Sequence, residues 1–596
     1  MFKISFSKLC SDAFSALKRF SGAGFTAVIG TGAAIYNIDF TSGNTHFFLN
    51  NLIHTSILSF AFLISGSIFC EARKLSKSIN LMIQIGGIGL SFAYYFYLPQ
   101  QELPEIYYFR SALLFIFIHL AVSFAPYIFG GTQNDFWEYN KKLFINILTS
   151  ALYTGVLYGG LTLAILAVDK LFHVNFNEKI YSELWIFMIG IFNSWFFLSK
   201  FPDKYNEQQT EYPNALRLFT QYVLLPLVTI YLLILYLYEI KIIGLWQLPV
   251  GWVSYLIIGF SILGILALLL VYPLQNNEKF KWVGKYTKSF YFALFPLILL
   301  LFVAIGKRIS EYGITENRYF ILILAVWLLG ISIYMLINRL ENIKIIPVSL
   351  ACIALFSAAG PQSAFNVAKR SQFSRLEKLL EKNKVLKNGK LIPFEKQPSD
   401  SIKREISSII GHFAELYDYK TLRKDFAQIN LQLPDTTVSQ YQVSDLVMNK
   451  LGFKNSGTSN ETGFNYYVDK QSTEISQIEG YKSFIDYNEY FDERNDTLTI
   501  YKIKADSVEI LYNTKTNRLK LNFSDKTNLE LNVDSLIRKY SVDCKENYKS
   551  IRKNDLIIET KTKKMKAKIL ITSVSGNKTG EKIQITSLNA FLFYTK

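Results

Sequence analysis

The chain has 596 residues, of which half are hydrophobic and 15% aromatic, and its formal net charge is +17. A soluble protein of this length would divide into several domains of lower apolar content, so that class is excluded. Residues 1–365 hold 25 Lys+Arg against 18 Asp+Glu, and residues 366–596 hold 39 against 29. Both halves are mildly basic with interspersed signs, which reads as a solvated surface and not as a nucleic-acid interface.

The first residues are polar and basic, with Lys3, Lys8, Lys18 and Arg19. Cys10 follows this polar, basic start without an apolar stretch before it, so neither a cleaved signal peptide nor a lipoprotein signal is expected, and the first spanning helix serves as insertion signal. Long apolar runs then predict eleven membrane helices near 23–40, 51–70, 79–98, 109–129, 143–168, 184–201, 216–238, 252–273, 290–306, 319–337 and 345–365. In lipid a helix satisfies its own backbone, so such runs span as helices of ~20 residues. The run at 23–40 is the weakest, being rich in small residues.

Short-loop Lys and Arg set the orientation. The amino terminus and alternate loops carry 18 of them, the intervening loops 7. The amino terminus is therefore expected in the cytoplasm and, after eleven spans, the carboxy-terminal domain in the periplasm. The segment with Lys307, Arg308 and Arg318 votes the other way.

Ionisable groups inside spans are functional candidates by default. His54 and His119 lie within apolar runs, Gln84, Asn193 and Gln221 are uncharged, and no acid or base sits at mid-bilayer. For His119 two readings stand: an imidazole bonded to a neighbouring helix, or a proton-relay or substrate contact. Gly155, Gly159 and Gly160 form a small-xxx-small pattern that predicts close helix approach. Pro226 and Pro296 predict kinks. The stretch Arg308 to Tyr319 is expected as a short polar loop, in which Glu311 with Arg318, or Glu316 with Arg308, pair to fix two helices or to form a headgroup- or substrate-binding rim. His119, Arg308, Glu311, Glu316 and Arg318 are thus the candidates for polar function.

Beyond residue 365 the apolar runs stop. A helical juxtamembrane segment is expected over 366–460: Phe373, Leu376, Leu379 and Leu380 recur at helical spacing, as do Ile402, Ile406, Ile409, Ile410, Phe413 and Leu416. Ser444 reads as the cap of a short helix ending at Gly452, and His412 as a packing residue. From about 461 the period becomes two, predicting a β-rich domain to 596 with strands at 498–503, 519–523, 529–533 and 569–571 and a turn at Ser575–Gly580. Lys561, Lys563, Lys564, Lys566 and Lys568 are expected to face solvent along strand edges. The fold class is an α-helical polytopic bundle followed by a soluble α+β domain.

No catalytic string holds. The chain lacks His-Glu-x-x-His and Gly-x-Ser-x-Gly, and its cysteines (Cys10, Cys70, Cys352, Cys544) have no metal spacing. No enzyme activity, cofactor or metal is expected.

Several stretches carry a resemblance: Asn134–Phe144, Trp195–Pro202, Gln221–Leu227, Tyr231–Tyr236, Pro249–Ser254, Tyr272–Leu274 and Arg308–Tyr319. In this order and spacing they resemble the multi-pass membrane proteins of domain-of-unknown-function family 4153, over roughly residues 1–365. The resemblance implies a bacterial cell-membrane protein and brings no catalytic residues. The expected partners are the lipid bilayer and a protein met by the soluble domain, not nucleic acid. The expected role is envelope maintenance or handling of a lipidic or small-molecule substrate, with a transporter or flippase and a membrane scaffold or sensor as the alternatives.

Overall fold

A computed structural model describes residues 14–40, 43–99, 103–202, 212–245, 252–275, 277–338, 341–387, 390–394, 398–427, 429, 431, 433, 440–452, 461–468, 481, 483–490, 500–505, 508–513, 516–523, 528–534, 538, 548–551, 556–561, 566–579 and 582–595. The chain divides into two compact units, one formed by residues 1–390 with 412–440 and the other by 391–411 with 441–596.

In the first unit, nine helices among the described residues are long and apolar enough to cross a membrane. After α1 (Ser21–Asn37) they are α2 (Thr45–Ala72), α3 (Lys77–Tyr97), α4 (Glu105–Tyr127), α5 (Gln133–Phe172), α6 (Lys179–Ser199), α7 (Asn214–Leu245), α8 (Val253–Leu270), α9 (Glu278–Tyr312) and α10 (Glu316–Ile337). The apolar helix α11 (Ile345–Ala358) follows. The outward faces are as apolar as the core: Met82, Phe96, Leu152, Val156 and Leu171 are each more than 60% exposed. Water would penalise that surface and hydrocarbon does not.

The predicted end runs at 23–40 and 345–365 are helical but have only 17 and 14 residues. At ~1.5 Å per residue, α11 is roughly 21 Å long, short of the ~30 Å hydrocarbon core. It stops because Gly360 turns into the left-handed region (φ +87) directly before Pro361.

Close helix approach occurs away from the predicted glycines. Gly155, Gly159 and Gly160 face open space, whereas a Cβ on Gly190 would overlap Thr31 and one on Gly264 would overlap Phe290. Small residues permit contact, and here the close approaches fall at Gly190 of α6 and Gly264 of α8 instead of at the α5 glycines. Helix α9 continues through Pro296. In α7 a π-helical stretch, Thr220–Leu224, precedes Pro226, which has no N–H for the regular ladder. A second π-helical stretch, Met188–Asn193, interrupts α6.

After α11 come α12 (Ala364–Lys382), α13 (Asp400–Leu416) and α14 (Tyr419–Ala427). Phe373, Phe413 and Phe426 meet with ring centroids 6.2–6.4 Å apart. Helix α13 starts in the second unit and its last residues, from His412, belong to the first. Helix α15 (Gln440–Lys450) begins before Ser444, which is therefore a buried interior residue and not the expected cap.

Two short strands, β1 (Leu386–Lys387) and β2 (Lys390–Leu391), pair after α12, and the second unit carries two larger sheets. Strands β5 (Ile500–Ala505), β6 (Val508–Asn513), β7 (Arg518–Phe523) and β8 (Asn528–Asn532) form an antiparallel meander. The other sheet has the order β4-β12-β11-β3-β9, with β10 (Ile557–Lys561) also paired to β11. Its members are β3 (Glu461–Val468), β4 (Ser483–Tyr490), β9 (Tyr548–Ile551), β11 (Lys566–Thr579) and β12 (Lys582–Thr595), and only β3 with β9 is parallel. Alternation along β6 and β7 sends Val508, Ile510, Tyr512, Leu519 and Leu521 into one core with Ile569, Ile571, Leu588 and Leu592 of the larger sheet. The predicted turn at Ser575–Gly580 is mostly strand, because β11 extends to Thr579. Lys561 and Lys566 face solvent as expected, but Lys568 is buried and ion-paired with Glu559 at 3.1 Å; Lys563 and Lys564 lie outside the described residues.

Candidate functional site

The stretch expected as a loop from Arg308 to Tyr319 is mostly helix. Helix α9 runs to Tyr312 and α10 begins at Glu316, leaving Gly313, Ile314 and Thr315 as the turn. Gly313 has φ +69, a conformation that favours glycine. The helix-end carbonyls, which have no intrahelical partner, are met by side chains. Gln372 Nε2 donates to Tyr312 O and Ile314 O, both at 2.9 Å. Arg318 Nη1 donates to Tyr312 O (3.0 Å) and Gly313 O (2.7 Å), and Arg375 Nη1 donates to Tyr312 O (3.1 Å). Ser371 Oγ accepts from Ile314 N at 2.8 Å. Helix α12 thus grips the α9–α10 turn through three side chains, Ser371, Gln372 and Arg375.

Glu316 is the centre of this site. It is 4% exposed, although it opens a helix at a membrane-domain turn. The single Tyr417 hydroxyl proton is shared between Glu316 Oε1 at 3.2 Å and Phe365 O at 2.9 Å. His412 Nε2 lies 3.0 Å from Glu316 Oε2, within ion-pair reach but off the line of an N–H···O bond. Burial, and then the Glu316 carboxylate, push the Tyr417 phenol well above its usual range. Lys369 ion-pairs with Asp425 at 3.0 Å and stands 5.7 Å from the centre of the Tyr417 ring. From α4, Arg110 lies over the Phe365 ring and donates to the Tyr97 hydroxyl at 2.7 Å.

The five sequence candidates separate. Glu316 and Arg318 belong to this cluster, in different roles from those expected. Glu316 pairs with His412 rather than Arg308, and Arg318 binds carbonyls rather than Glu311. Glu311 reaches Lys307 at 3.8 Å on an exposed face, a pair of the kind that contributes little. His119 stands apart: it is exposed on α4, its Nδ1 lies 2.8 Å from Phe115 O of its own helix, and its ring lies 3.7 Å from that of Phe115. The expected bond to a neighbouring helix is not made.

A second buried polar zone lies at the start of α5, within the Asn134–Phe144 motif. A capping box between Thr132 and Asp135 opens the helix. One turn on, Glu138 and Lys141 pair at 2.6 Å with both side chains about 5% exposed. Trp137 donates its indole N–H to Leu269 O at 2.7 Å and stacks on Tyr212. Arg19 holds Glu71 at 2.7 Å and donates to Phe201 O and Pro202 O, the end of another motif. In the spans, Gln84 binds Leu63 O and Ser67 across helices, and Asn193 accepts from Thr154. The Gln221 amide nitrogen, in the α7 π-stretch, is buried without a partner.

Two cavities open beside these elements. One of about 340 Å³ lies between the ends of α4 and the starts of α5 and α11, where Lys344 donates to Gly130 O and Gly131 O. Another of about 190 Å³ lies among α2, α3 and α4. Among the described residues no group of three His, Cys, Asp or Glu side chains could hold a metal ion. What converges at Glu316 is a buried acid, an imidazole 28% exposed at its side chain and a phenol, an arrangement suited to a charge latch between membrane helix and extramembrane helices. His412 and Tyr417 were not legible as partners of Glu316; the one signal was a histidine beside an apolar helix face.

A model of the family described as "Domain of unknown function (DUF4153)" matches residues 23–386. A curated relative, "Uncharacterized protein PM1469" of Pasteurella multocida (strain Pm70), is 29% identical over 262 residues, which is 43% of this chain and 44% of that protein. The match therefore spans less than half of the relative's length. No solved structure matches.

Proposed function

The chain belongs to the DUF4153 family, and on that premise we propose that it is a non-enzymatic cell-membrane scaffold or sensor that binds a partner protein through its carboxy-terminal sheet domain. The observation that carries the reading is an aromatic cluster on β4 and β12. Phe484 is 64% exposed and packs beside Phe591 and Phe593, with centroids at 6.5 and 6.1 Å; Tyr481 extends the cluster. Clustered aromatics on a sheet face are the composition of an interface centre. The Glu316 latch supports the sensing half of the reading, since it ties the helices that lead to this domain to a membrane helix. A photo-crosslinking amino acid at Phe484 of the full-length chain, in native membranes, is expected to give one discrete protein adduct, and the same group at Asn528 none. Equal patterns at both positions would sink the reading.

The proposal includes a bacterial inner-membrane location, a cytoplasmic amino terminus and a periplasmic sheet domain, supported by the bias in loop Lys and Arg. The short α11 makes its crossing the step on which the orientation depends. Alkaline phosphatase fused after Lys596 is expected to be active; a well-expressed, inactive fusion would reverse the orientation.

A further inference from the structure

We propose that the cavity between the end of α4 and the starts of α5 and α11 binds an anionic phospholipid, with the lipid phosphate on the Lys344 ammonium. The cavity measures about 340 Å³, within the ~300–1,000 Å³ range of ligand pockets. Its wall has two chemistries. Phe124, Ile128, Ile345 and Val348 are apolar, and Lys344, Gln133 and Asn342 supply polar groups. The cavity sits where spans end, since α4 stops at Tyr127 and α5 starts at Gln133. In the connection between them Ile128 is 47% and Phe129 71% exposed. Water penalises such apolar tips, and the edge of a bilayer accepts them. At that level of a membrane the lipid phosphates lie over their acyl chains.

Lys344 keeps charge for a ligand. Its Nζ donates to Gly130 O at 3.0 Å and to Gly131 O at 2.5 Å. The two carbonyls hold the ammonium in place without cancelling its charge, and an ammonium has a third proton to give. The side chain is part-buried, not sealed in. Among the described residues no carboxylate comes within ion-pair reach of it. The acid that acts on it is Asp135, whose carboxylate already accepts from the Thr132 N–H at 3.0 Å and the Thr132 hydroxyl at 2.7 Å. The other polar side chains of the wall are spent on the frame. Gln133 Nε2 donates to Asn342 Oδ1 at 2.9 Å, Ile343 N donates to Gln133 Oε1 at 3.1 Å, and Asn342 Nδ2 donates to the Tyr334 hydroxyl at 2.9 Å. They fix the start of α11 against that of α5 and leave the ammonium as the recognising group. A second cation stands nearby: Arg73 lies over the Phe129 ring, 4.8 Å from its centre, while the neighbouring acid Glu71 is held by Arg19. Two cations beside an apolar wall suit a phosphate joined to acyl chains. A zwitterionic lipid brings its own ammonium toward both cations, and free phosphate leaves the apolar wall uncovered.

The test uses the full-length protein in phosphatidylcholine nanodiscs doped with one of two photoreactive lipids, phosphatidylglycerol or phosphatidylcholine, each with a diazirine near the head of one acyl chain. Adducts are mapped by mass spectrometry. Phosphatidylglycerol is expected to label residues 124–131 and 345–348 about fivefold more than phosphatidylcholine does, the ratio for one basic residue at a membrane surface. Excess unlabelled phosphatidylglycerol should compete, and excess inorganic phosphate should not. Lys344→Gln keeps a donor for the glycine carbonyls, removes the charge and should abolish the preference, whereas Lys344→Arg should keep it. Val348→Trp fills the cavity with Lys344 still in place and should remove the phosphatidylglycerol adducts. Thermal transitions measured alongside show that the variants are folded. Equal labelling by the two lipids, a preference that survives Lys344→Gln, adducts unchanged by Val348→Trp, or displacement by inorganic phosphate would each overturn the proposal.

Discussion

Glu316→Ala is expected to destabilise the first unit by about 2–3 kcal/mol and to free the helices that follow the membrane domain. The figure follows from the partners. The Glu316 carboxylate is buried, and it faces His412 at 3.0 Å and the Tyr417 hydroxyl at 3.2 Å. Breaking a fully buried charge pair costs roughly 3–5 kcal/mol, and the loss here is smaller because His412 Nε2 lies off the line of a hydrogen bond to Glu316. Tyr417 keeps its bond to Phe365 O, so its hydroxyl is not orphaned. Glu316→Gln preserves an acceptor for Tyr417 and removes only the charge, so its cost should be about 1 kcal/mol. The thermal transition of the detergent-solubilised full-length chain reads the first effect. Trypsin cleavage after Lys369, Arg370, Lys420 or Arg423 reads the second. If Glu316→Ala leaves both the transition and the cleavage pattern unchanged, Glu316 is not a latch.

Much of the architecture was legible because lipid imposes a simple code. The runs at 51–70 and 319–337 became α2 and α10 for the plain reason that a charge-free stretch of that length has one satisfactory form in hydrocarbon. The ends were harder. Lys307, Arg308 and Glu311 look like a loop by polarity, yet they continue α9 beyond its apolar part; the stop is Gly313, which can take the left-handed conformation. Polarity reports the solvent and not the helix. In the same way, Gly155 and Gly159 satisfied a packing pattern without a helix to pack against, while Gly190 met Thr31 with no pattern around it. In the sheet domain, the alternation of β6 and β7 is strong because one face is buried. Ser575 and Asn577 read as turn residues but lie in β11, where pairing with β12 and β3 outweighs local preference.

The candidate site was half legible. Glu316 stood out as an acid beside a span, but its partner Tyr417 lies 101 residues later in the chain. Nothing local marks such a pair. Only the packing of α12, α13 and α14 brings the two together, and the Phe373–Phe413–Phe426 contact that does so is ordinary apolar periodicity in the sequence.

The buried pair at the start of α5 gives a second large expected effect, with a sign that separates two accounts of it. Glu138 and Lys141 are 2.6 Å apart, and each side chain is about 5% exposed. The Lys141 ammonium also lies 5.0 Å from the Trp137 ring centre. Glu138→Leu removes the carboxylate that faces a buried cation and is expected to cost about 3–5 kcal/mol. Glu138→Leu with Lys141→Met removes both charges and fills the same space with apolar atoms, so its cost should fall to about 1 kcal/mol or less. Thermal transitions of the two variants in one detergent make the comparison. Recovery in the double variant means that the pair is held in place by the penalty for breaking it, and that the Trp137–Tyr212 stack and the Trp137 bond to Leu269 O hold the helix start by themselves. A double variant as unstable as the single one would instead mean that these charges orient groups beyond each other, and that the Asn134–Phe144 motif is built around the pair.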